Sequence, residues 1–460
     1  FCSILDRTRG GSFQLGLPEI REARQFYEED TPILHTEIRT PTGLLRVTDA
    51  LTLHAGADLN EDVRAGRREL VRRLRVIEGD VDVRLEISPR GGAEHSPASG
   101  GIEIRCAARG DLELHLDASI PLDGLRTPVR IRSGETVDVT LRWNAGSGRH
   151  KSVTAAQAVA QTADVWRHWI TQFRYDGPQT ALVRRSAITL KILDHFENGA
   201  IVAAPTSSLP EAIGGVRNWD YRYAWIRDAA LSVYALHRIG YSNEAARFLA
   251  WVLDAVERDG APKVLYDIDG RQSAPEWTDT EIEGYRRSAP VRWGNGAADQ
   301  RQNDAYGEIL DCAYQWAAHH GKVDEALWRK LHALVETARH VWHEPDHGIW
   351  EVRTSGRTFT YSAAMCEVAL DRGARLAERF GLPGDVAGWR AVSETIRSNI
   401  LHEAWDEKLQ SLTEHLGGGG LDASLLALPL RRVIAADHPR MVATTAAQAE
   451  PARGGRPEPE

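Results

Sequence analysis

The hydrophobic pattern changes its period near residue 150, and no other feature limits the fold as strongly. Before that point, apolar and polar residues alternate in short segments bounded by Gly, Asp, Pro and Ser, a pattern typical of half-buried strands. These segments are 35–40, 43–55, 80–90, 101–119 and 135–146. After it, apolar residues recur at helical spacing. We predict a multidomain β + α chain that begins with an antiparallel β-sandwich over residues 1–150.

The rest of the chain is predicted to be helical. A connecting helix over 152–173 lies in a linker at 151–178, and a helix over 179–196 opens a second domain. Further helices are predicted near 228–239, 242–258, 299–319, 323–341, 361–380, 385–400 and 421–435. Such a run could be a helical repeat array or an α/α ring of hairpins. No fixed-period repeat supports the array, whereas the aromatic-rich loops 205–227 and 267–298 favour the ring.

Composition excludes several classes of protein. The 460 residues carry a net charge of −9 spread along the chain, which argues against a nucleic-acid partner. Arginine clusters at 64–68 and 72–75 are interpreted as a solvated face. No stretch has the apolar length of a membrane span, and no secretory signal is recognisable. Four widely spaced cysteines show neither a disulfide framework nor zinc-like spacing. We therefore predict a cytoplasmic protein with no membrane partner.

Glu351 is the first candidate catalytic residue. Glycoside hydrolysis usually employs two carboxyl groups, and the acid needs a partly apolar setting that keeps it protonated. The segment HGIWEVR (347–353) gives Glu351 such a setting after Ile349 and Trp350. The alternative is a surface carboxylate paired with Arg353.

The segment NWDYRYAWIRDAALSVYAL (218–236) groups aromatic, arginine and aspartate residues just before a helix that is predicted to begin near Asp228. Aromatic faces stack on sugar rings, and guanidinium and carboxylate groups bind adjacent hydroxyls. Asp228 also stands where a helix N-terminus favours negative charge. The alternative is a helix cap beside core aromatics. Local sequence leaves both open.

A third segment, at 281–310, runs from a loop with Arg292 and Trp293 into a helix that carries Asp299, Gln302, Asn303 and Asp304. Arg292 could line a polar pocket. Asp304 and Glu308 share a helix face, although that spacing is common.

Other chemistries find little support. The chain has no His-x-x-x-His or His-Glu-x-x-His pattern and no glycine-rich phosphate loop after a strand. The glycines at 417–420 predict a turn into a helix, and neither Ser362 nor Ser424 has a nucleophile context. We predict no cofactor and no metal.

In these three segments the sequence resembles glycoside hydrolase family 15, which comprises glucoamylases, glucodextranases and bacterial trehalases. NWDYRYAWIRDA resembles the family's aromatic-Arg-Asp signature, SAPVRWGNGAADQRQNDAYGEILD its Gly-Asn/Gln-Asp segment, and GIWEVR its Trp-Glu acid motif. The resemblance extends to about residue 445 and to the order of parts. It implies a β-sandwich followed by an (α/α)6 barrel, and inverting release of glucose from non-reducing ends of an α-glucoside or α-glucan.

The resemblance also implies roles for individual residues. Glu351 would be the general acid. The residues that would bind substrate are Trp225, Arg227, Asp228, Arg292, Gln302, Asp304 and Trp350.

The sequence departs from the family at both ends. The chain starts at Phe1, so the first strands of the sandwich are expected to be missing. The predicted barrel, 179–445, has fewer helices than a six-hairpin ring needs, and 446–460 reads as a disordered, aberrant tail. The family's second catalytic glutamate, the general base, is expected on a later segment that this chain lacks. We therefore expect an impaired or inactive fragment.

Trehalose and α-glucan ends stay equally open as substrates. An inverting disaccharide phosphorylase is an alternative enzyme, since phosphate would replace the attacking water. A non-catalytic sugar-binding protein that retains the glucose pocket is the non-enzyme alternative.

Overall fold

A computed structural model describes residues 2–61, 64–98, 101–107, 112–144, 153–320 and 322–449. The chain divides into two compact units. The first comprises Phe1–Glu197, Thr206–Asp220 and Trp277–Trp293, and the second comprises Asn198–Pro205, Tyr221–Glu276 and Gly294–Glu460. The β domain and the helical domain expected from the sequence are both present.

Antiparallel strands dominate the first unit. They are β1 (Ser12–Gly16), β2 (Glu22–Tyr27), β3 (Leu34–Arg39), β4 (Gly43–Leu53), β5 (Gly66–Gly79), β6 (Val81–Ser88), β7 (Ala93–Ala98), β8 (Gly101–Cys106), β9 (Glu113–Ala118), β10 (Arg126–Ile131) and β11 (Thr136–Trp143). One sheet has the order β1-β6-β10 and the other β2-β3-β4-β5-β11-β9-β8-β7. Residues of both sheets, such as Leu45, Leu74, Val83 and Ile131, share one core.

Strand β5 corrects the interpretation of the arginine clusters at 64–68 and 72–75 as a merely solvated face. Its Leu74 and Val76 are fully buried. Arg72 is paired with Asp49 on β4 at 2.7 Å, and Arg73 with Asp138 on β11 at 2.7 Å. Arg72 lies on the same face of β5 as Leu74 and Val76, and Arg73 lies on the opposite face, so that each face carries a cross-strand ion pair.

Helix α1 (Ala155–Ile170) begins at a capping box in which Thr154 accepts from the Gln157 backbone, as the predicted connecting helix requires. Its Ala158, Val159 and Ala163 pack with Ile33 and Val71 of the β domain. Helix α2 (Thr180–Leu193) follows. The two short strands of this unit's last segment, β14 (Trp277–Asp279) and β15 (Val291–Trp293), pair with each other.

The second unit is mainly helical. Its helices are α3 (Ile226–Arg238), α4 (Asn243–Asp259), α5 (Asp304–His320), α6 (Glu325–Val341), α7 (Thr360–Phe380), α8 (Val386–Glu403) and α9 (Pro439–Ala449). Its strands are β12 (Ala224–Trp225), β13 (Leu265–Tyr266), β16 (Trp405–Asp406) and β17 (Ser411–Leu412). Helix α7 is buried along nearly its whole length, which makes it the central helix of the unit. It packs closely on α5, where a Cβ on Gly307 would lie 2.1 Å from the Met365 carbonyl oxygen.

A buried network of charges joins α5, α7 and the segment after α8. Arg431 donates to both carboxylate oxygens of Glu308, at 3.0 and 2.7 Å, and to Asp311 at 2.7 Å. Arg372 donates to Asp311 at 2.7 Å, and the Tyr361 hydroxyl donates to Glu308 at 3.2 Å. Each buried charge therefore has a partner of opposite charge, as burial requires.

Three predicted segments differ from the structure. The helix predicted at 421–435 is only a short 3-10 helix, Ala423–Ala427, followed by turns. The helix predicted at 299–319 divides into a 3-10 helix, Gly296–Asp299, and α5, with extended residues between them. Helix α9 continues through Ala449, into the segment predicted as a tail, and residues 450–460 lie outside the described part. In the described residues no helix combines the length and apolar character needed to cross a membrane.

Candidate active site

Strand β12 and helix α3 place the aromatic-arginine-aspartate segment. Trp225 ends β12, which pairs with β13, and it is 3% exposed among Val264, Leu265 and Ala297. Helix α3 begins at the next residue, two positions earlier than predicted. Asp228 lies exposed in its first turn, where the helix dipole favours a negative charge. Trp225 is therefore a core residue as well as a candidate contact residue, and both alternatives for this segment apply to it.

Arg227 connects the three segments that the sequence singled out. Its Nη1 donates to Gln302 Oε1 at 2.9 Å and to Asp304 Oδ2 at 3.0 Å. Its Nη2 donates to Glu351 Oε1 at 3.4 Å. Burial lowers the pKa of Arg227, but the carboxylates of Asp304, Asp228 and Glu351 raise it by more. The net shift is upward, so that the guanidinium stays charged.

Glu351 lies beside Arg227 and Trp225 and is not paired with Arg353. Its Oε1 accepts a hydrogen bond from the Trp225 indole at 2.6 Å as well as the longer one from Arg227. Burial raises the pKa of Glu351, while Arg227, Trp225 and Gln302 lower it, and the net shift is upward. A carboxyl group with a raised pKa is suited to donate a proton near neutral pH.

The loop that carries Glu351, residues 346–357, has an unusual backbone. Glu351 has φ +55°, a left-handed conformation that is uncommon for a side chain of this kind. Gly348 has φ +63°, and a Cβ there would lie 2.8 Å from the Phe359 ring. The Gln300 side-chain amide donates to the carbonyls of Glu351 and Val352, both at 3.2 Å. Strained backbone of this kind occurs often at functional sites, where the surroundings hold it in place.

The neighbours of Glu351 in this loop are anchored separately. Trp350 is 59% exposed, yet its indole Nε1 donates to the buried Asp422 at 2.9 Å. Arg353 forms two hydrogen bonds with Glu276, at 2.9 and 2.8 Å. Trp350 thus presents an exposed aromatic face whose orientation is fixed by a buried carboxylate.

Arg292 belongs to the first unit, unlike the other predicted site residues. Its Nη1 donates to the carbonyls of Val216 and Asn218, at 2.7 and 3.0 Å. Its guanidinium lies over the Trp219 ring, 4.6 Å from the ring centroid. Within that unit Arg292 therefore joins two loop segments.

Glu308 and Asn303 were noted in the sequence without a predicted role in the site. Gln300, Asp346 and Asp422 were not among the candidates. Glu308 shares the buried face of α5 with Asp304, but it binds Arg431 whereas Asp304 binds Arg227. Asp346 accepts from the Asn303 backbone at 2.8 Å. Gln300 stands within one candidate segment and Asp346 directly precedes another, which is the only sequence signal for them, and Asp422 has no such signal.

No group of three or more His, Cys, Asp or Glu residues is arranged to hold a metal ion in the described part of the chain. The polar groups around Glu351 are instead the partners that a neutral polyol needs: an arginine, an amide, carboxylates and an exposed indole.

A carboxyl group with a raised pKa lies here beside an arginine and aromatic side chains, and comparison with known proteins gives the family. The model of "Glycosyl hydrolases family 15" matches residues 177–450, more than half of the chain. The chain belongs to glycosyl hydrolase family 15.

Relatives of known name agree with this assignment. A trehalase of Mycolicibacterium smegmatis is 37% identical over 98% of this chain and 71% of its own length. A trehalase of Mycobacterium tuberculosis is 38% identical over 98% of this chain and 70% of its own length. The fold is similar to that of a bacterial glucoamylase crystallised with acarbose, with a TM-score of 0.64 and 14% identity. The match covers 93% of this chain and 69% of that one.

Proposed function

We propose that this protein hydrolyses trehalose with inversion, and that Glu351 is the general acid. The observation that carries the proposal is the shared acceptor, Glu351 Oε1, which binds both Trp225 and Arg227. Because two donors occupy Oε1, the proton of the neutral acid belongs on Oε2. From there it can pass to the glycosidic oxygen as the bond breaks.

The same two donors favour the second half of the step. Once Glu351 has lost its proton, the Trp225 indole and the Arg227 guanidinium stabilise the carboxylate that remains. In an inverting enzyme a second carboxyl group, about 6.5–9.5 Å from the acid, activates the water on the opposite face of the sugar. Glu351 therefore supplies one of the two proton transfers that the reaction requires.

The terminal glucose is proposed to lie against the exposed side of this cluster. Asp228 and Arg227 would bind its hydroxyls, and Gln302 and Asp304 would hold Arg227 in position. Trp350 would stack on the neighbouring sugar, because its exposed ring directly precedes the acid. Trp225 would line the pocket floor.

Trehalose is favoured over α-glucan ends because the relatives that match nearly the whole chain are named trehalases. We also propose that α3 to α9 form part of an (α/α)6 barrel, supported by the likeness to the bacterial glucoamylase fold. The four cysteines are free thiols, which supports a reducing, cytoplasmic location.

The test is to incubate the purified full-length protein with trehalose, maltose and maltotetraose and to follow product anomers by proton NMR. Inverting hydrolysis of trehalose gives β-glucose and α-glucose in equal amounts at first, because only one anomeric carbon is attacked. Retention would give α-glucose alone and would overturn the proposal. Faster release of glucose from maltotetraose than from trehalose would shift the assignment to the glucoamylase type.

Two further outcomes separate the other functions. Formation of glucose 1-phosphate only in phosphate buffer would identify a phosphorylase. Binding of trehalose by calorimetry, without any product, would identify a sugar-binding protein. In either case the proposed hydrolysis is wrong.

A further inference from the structure

Asp346 is a buried carboxylate at the start of the loop that carries Glu351, and the proposed reaction does not use it. It is 1% exposed. Its backbone N–H and carbonyl pair with Arg357 at 2.9 and 2.8 Å, which closes the loop 346–357 at its base. Its side-chain Oδ2 accepts the backbone N–H of Asn303 at 2.8 Å. Asp346 therefore contacts the acid loop through its backbone and the start of α5 through its side chain.

Asn303 completes the connection from the other side. Its side-chain amide donates to the carbonyls of Val341 and Glu344, at 3.2 and 3.3 Å, at the end of α6. Asn303 lies between Gln302 and Asp304, the two residues that bind Arg227. A shift of its backbone would therefore move both partners of Arg227 at once.

Several attachments set the position of Glu351 relative to Arg227. Arg227 and Trp225 contact Glu351 Oε1 directly, and the Gln300 amide holds the carbonyls of Glu351 and Val352. A further attachment is the link from the base of the acid loop through Asp346 to Asn303. A displacement of about 1 Å at a reacting group can cost about 100-fold in rate, so that small errors in this link matter.

We infer that Asp346 is a positioning residue, which sets the acid Glu351 against the Arg227 cluster by fixing the acid loop to the N-terminus of α5. It does so as a hydrogen-bond acceptor and not as a charge. Oδ1 of Asp346 makes no hydrogen bond of good geometry among the described residues. Burial, together with the charge of Asp304, raises the pKa of Asp346 to about 6, against the Ser362 hydroxyl and the N–H groups of Asn303 and Gly348, which lower it. The buried charge is therefore costly, and the acceptor oxygen alone would suffice.

The experiment compares Asp346→Asn with Asp346→Ala. The amide oxygen of asparagine can accept the Asn303 N–H, and its NH₂ replaces Oδ1, which makes no hydrogen bond of good geometry. Alanine removes the acceptor and leaves a buried N–H unpaired. The first readout is independent of turnover: the ¹H–¹⁵N cross-peak of the Trp225 indole, assigned with Trp225→Phe. Its hydrogen bond to Glu351 reports the position of the acid.

We expect Asp346→Asn to leave the Trp225 cross-peak in place and Asp346→Ala to shift it upfield as the bond to Glu351 lengthens. The inference rests on the proposed function for its kinetic consequence. In a chain that turns over trehalose, Asp346→Ala should lower kcat about 10- to 100-fold with little change in KM, and Asp346→Asn should restore it. The matched control is Asp324→Ala, which removes an aspartate that accepts the Leu327 N–H at 2.8 Å at the start of α6. It should change neither readout.

Failure of each idea is recognisable. An unchanged cross-peak in folded Asp346→Ala would overturn the positioning role, whatever the activity. A shifted cross-peak in a chain that never hydrolyses trehalose would leave the role standing and remove the proposed function. Should Asp346→Ala not fold, Asp346→Asn decides alone: a moved cross-peak, or a tenfold loss of kcat, would show that the charge is required and would overturn the inference.

Discussion

The indole Nε1 of Trp225 donates a 2.6 Å hydrogen bond to Oε1 of Glu351, a residue 126 positions later in the chain. This bond favours the ionised form of Glu351, whereas burial favours the neutral form, and burial prevails. The proton-donating ability of the acid is therefore set by burial against several donors and charges, and the contribution of Trp225 can be removed by a single substitution.

Replacing Trp225 with Phe should shift the alkaline limb of the pH–activity profile to higher pH. The general acid must be protonated, so activity falls as pH rises through its pKa. Loss of the indole donor removes an effect that lowers this pKa, which should therefore rise. The measurement is kcat/KM for trehalose across pH. Trp328→Phe is the control, because the buried Trp328 indole donates to the Pro383 carbonyl at 2.9 Å instead. A limb that moves to lower pH would contradict the assignment of Glu351.

Replacing Glu351 with Gln should lower kcat by about 10²–10⁴-fold, the typical contribution of one general acid or base. Glutamine retains the acceptor for Trp225, so trehalose affinity measured by calorimetry should change little. Glu336→Gln is a closely matched control, since Glu336 Oε1 also accepts a tryptophan indole, that of Trp389, at 2.6 Å. Activity that survives Glu351→Gln would remove Glu351 from the mechanism.

The β domain shows which strands can be predicted from alternation alone. Strands β3, β4, β6, β8 and β11 were predicted because one face is apolar and the other polar. Strand β5 was missed because Arg72 and Arg73 place a charge on both faces and interrupt the alternation, and their partners, Asp49 and Asp138, lie on neighbouring strands. Strands β7 and β10 each contain a proline, which weakens a strand prediction. Cross-strand partners are long-range information that a local pattern does not contain.

In the candidate site, too, motifs predict some residues, whereas others are recognised only from their contacts in the fold. Trp225, Arg227, Gln302, Asp304 and Glu351 were named from motifs, and the structure brings them into contact. Gln300, whose amide holds the acid loop, could not be predicted in this way. It lies in the interruption between the 3-10 helix Gly296–Asp299 and α5, a region that the sequence prediction treated as one helix.

Replacing Trp350 with Ala should raise KM for trehalose without a comparable loss of kcat. The exposed ring is a stacking surface for a sugar, and such a contact contributes about 1 kcal/mol, or roughly fivefold in affinity. Trp350→Phe should recover most of this affinity although it loses the bond to Asp422. The control is Trp277→Ala, which removes a tryptophan of similar exposure, 55%, from the first unit. Equal effects of the two alanine variants on KM would argue against a specific sugar contact at Trp350.

Replacing Gly307 with Ala should destabilise the helical unit, because helices α5 and α7 approach each other too closely for a side chain. The new Cβ would meet the Met365 carbonyl oxygen at 2.1 Å, so the backbones must separate. Overpacking of this kind costs about 1–3 kcal/mol, more than the roughly 1 kcal/mol that alanine gains over glycine within a helix. The midpoint of urea unfolding should therefore fall.

Gly420→Ala is the control, since its Cβ would meet no atom within 4 Å, and its midpoint should change little. Because Asp304 and Gly307 lie within one turn of α5, the Gly307 variant should also lose kcat. An unchanged midpoint would mean that α5 and α7 can separate at little cost, and the site would then be less rigidly supported than the contact implies.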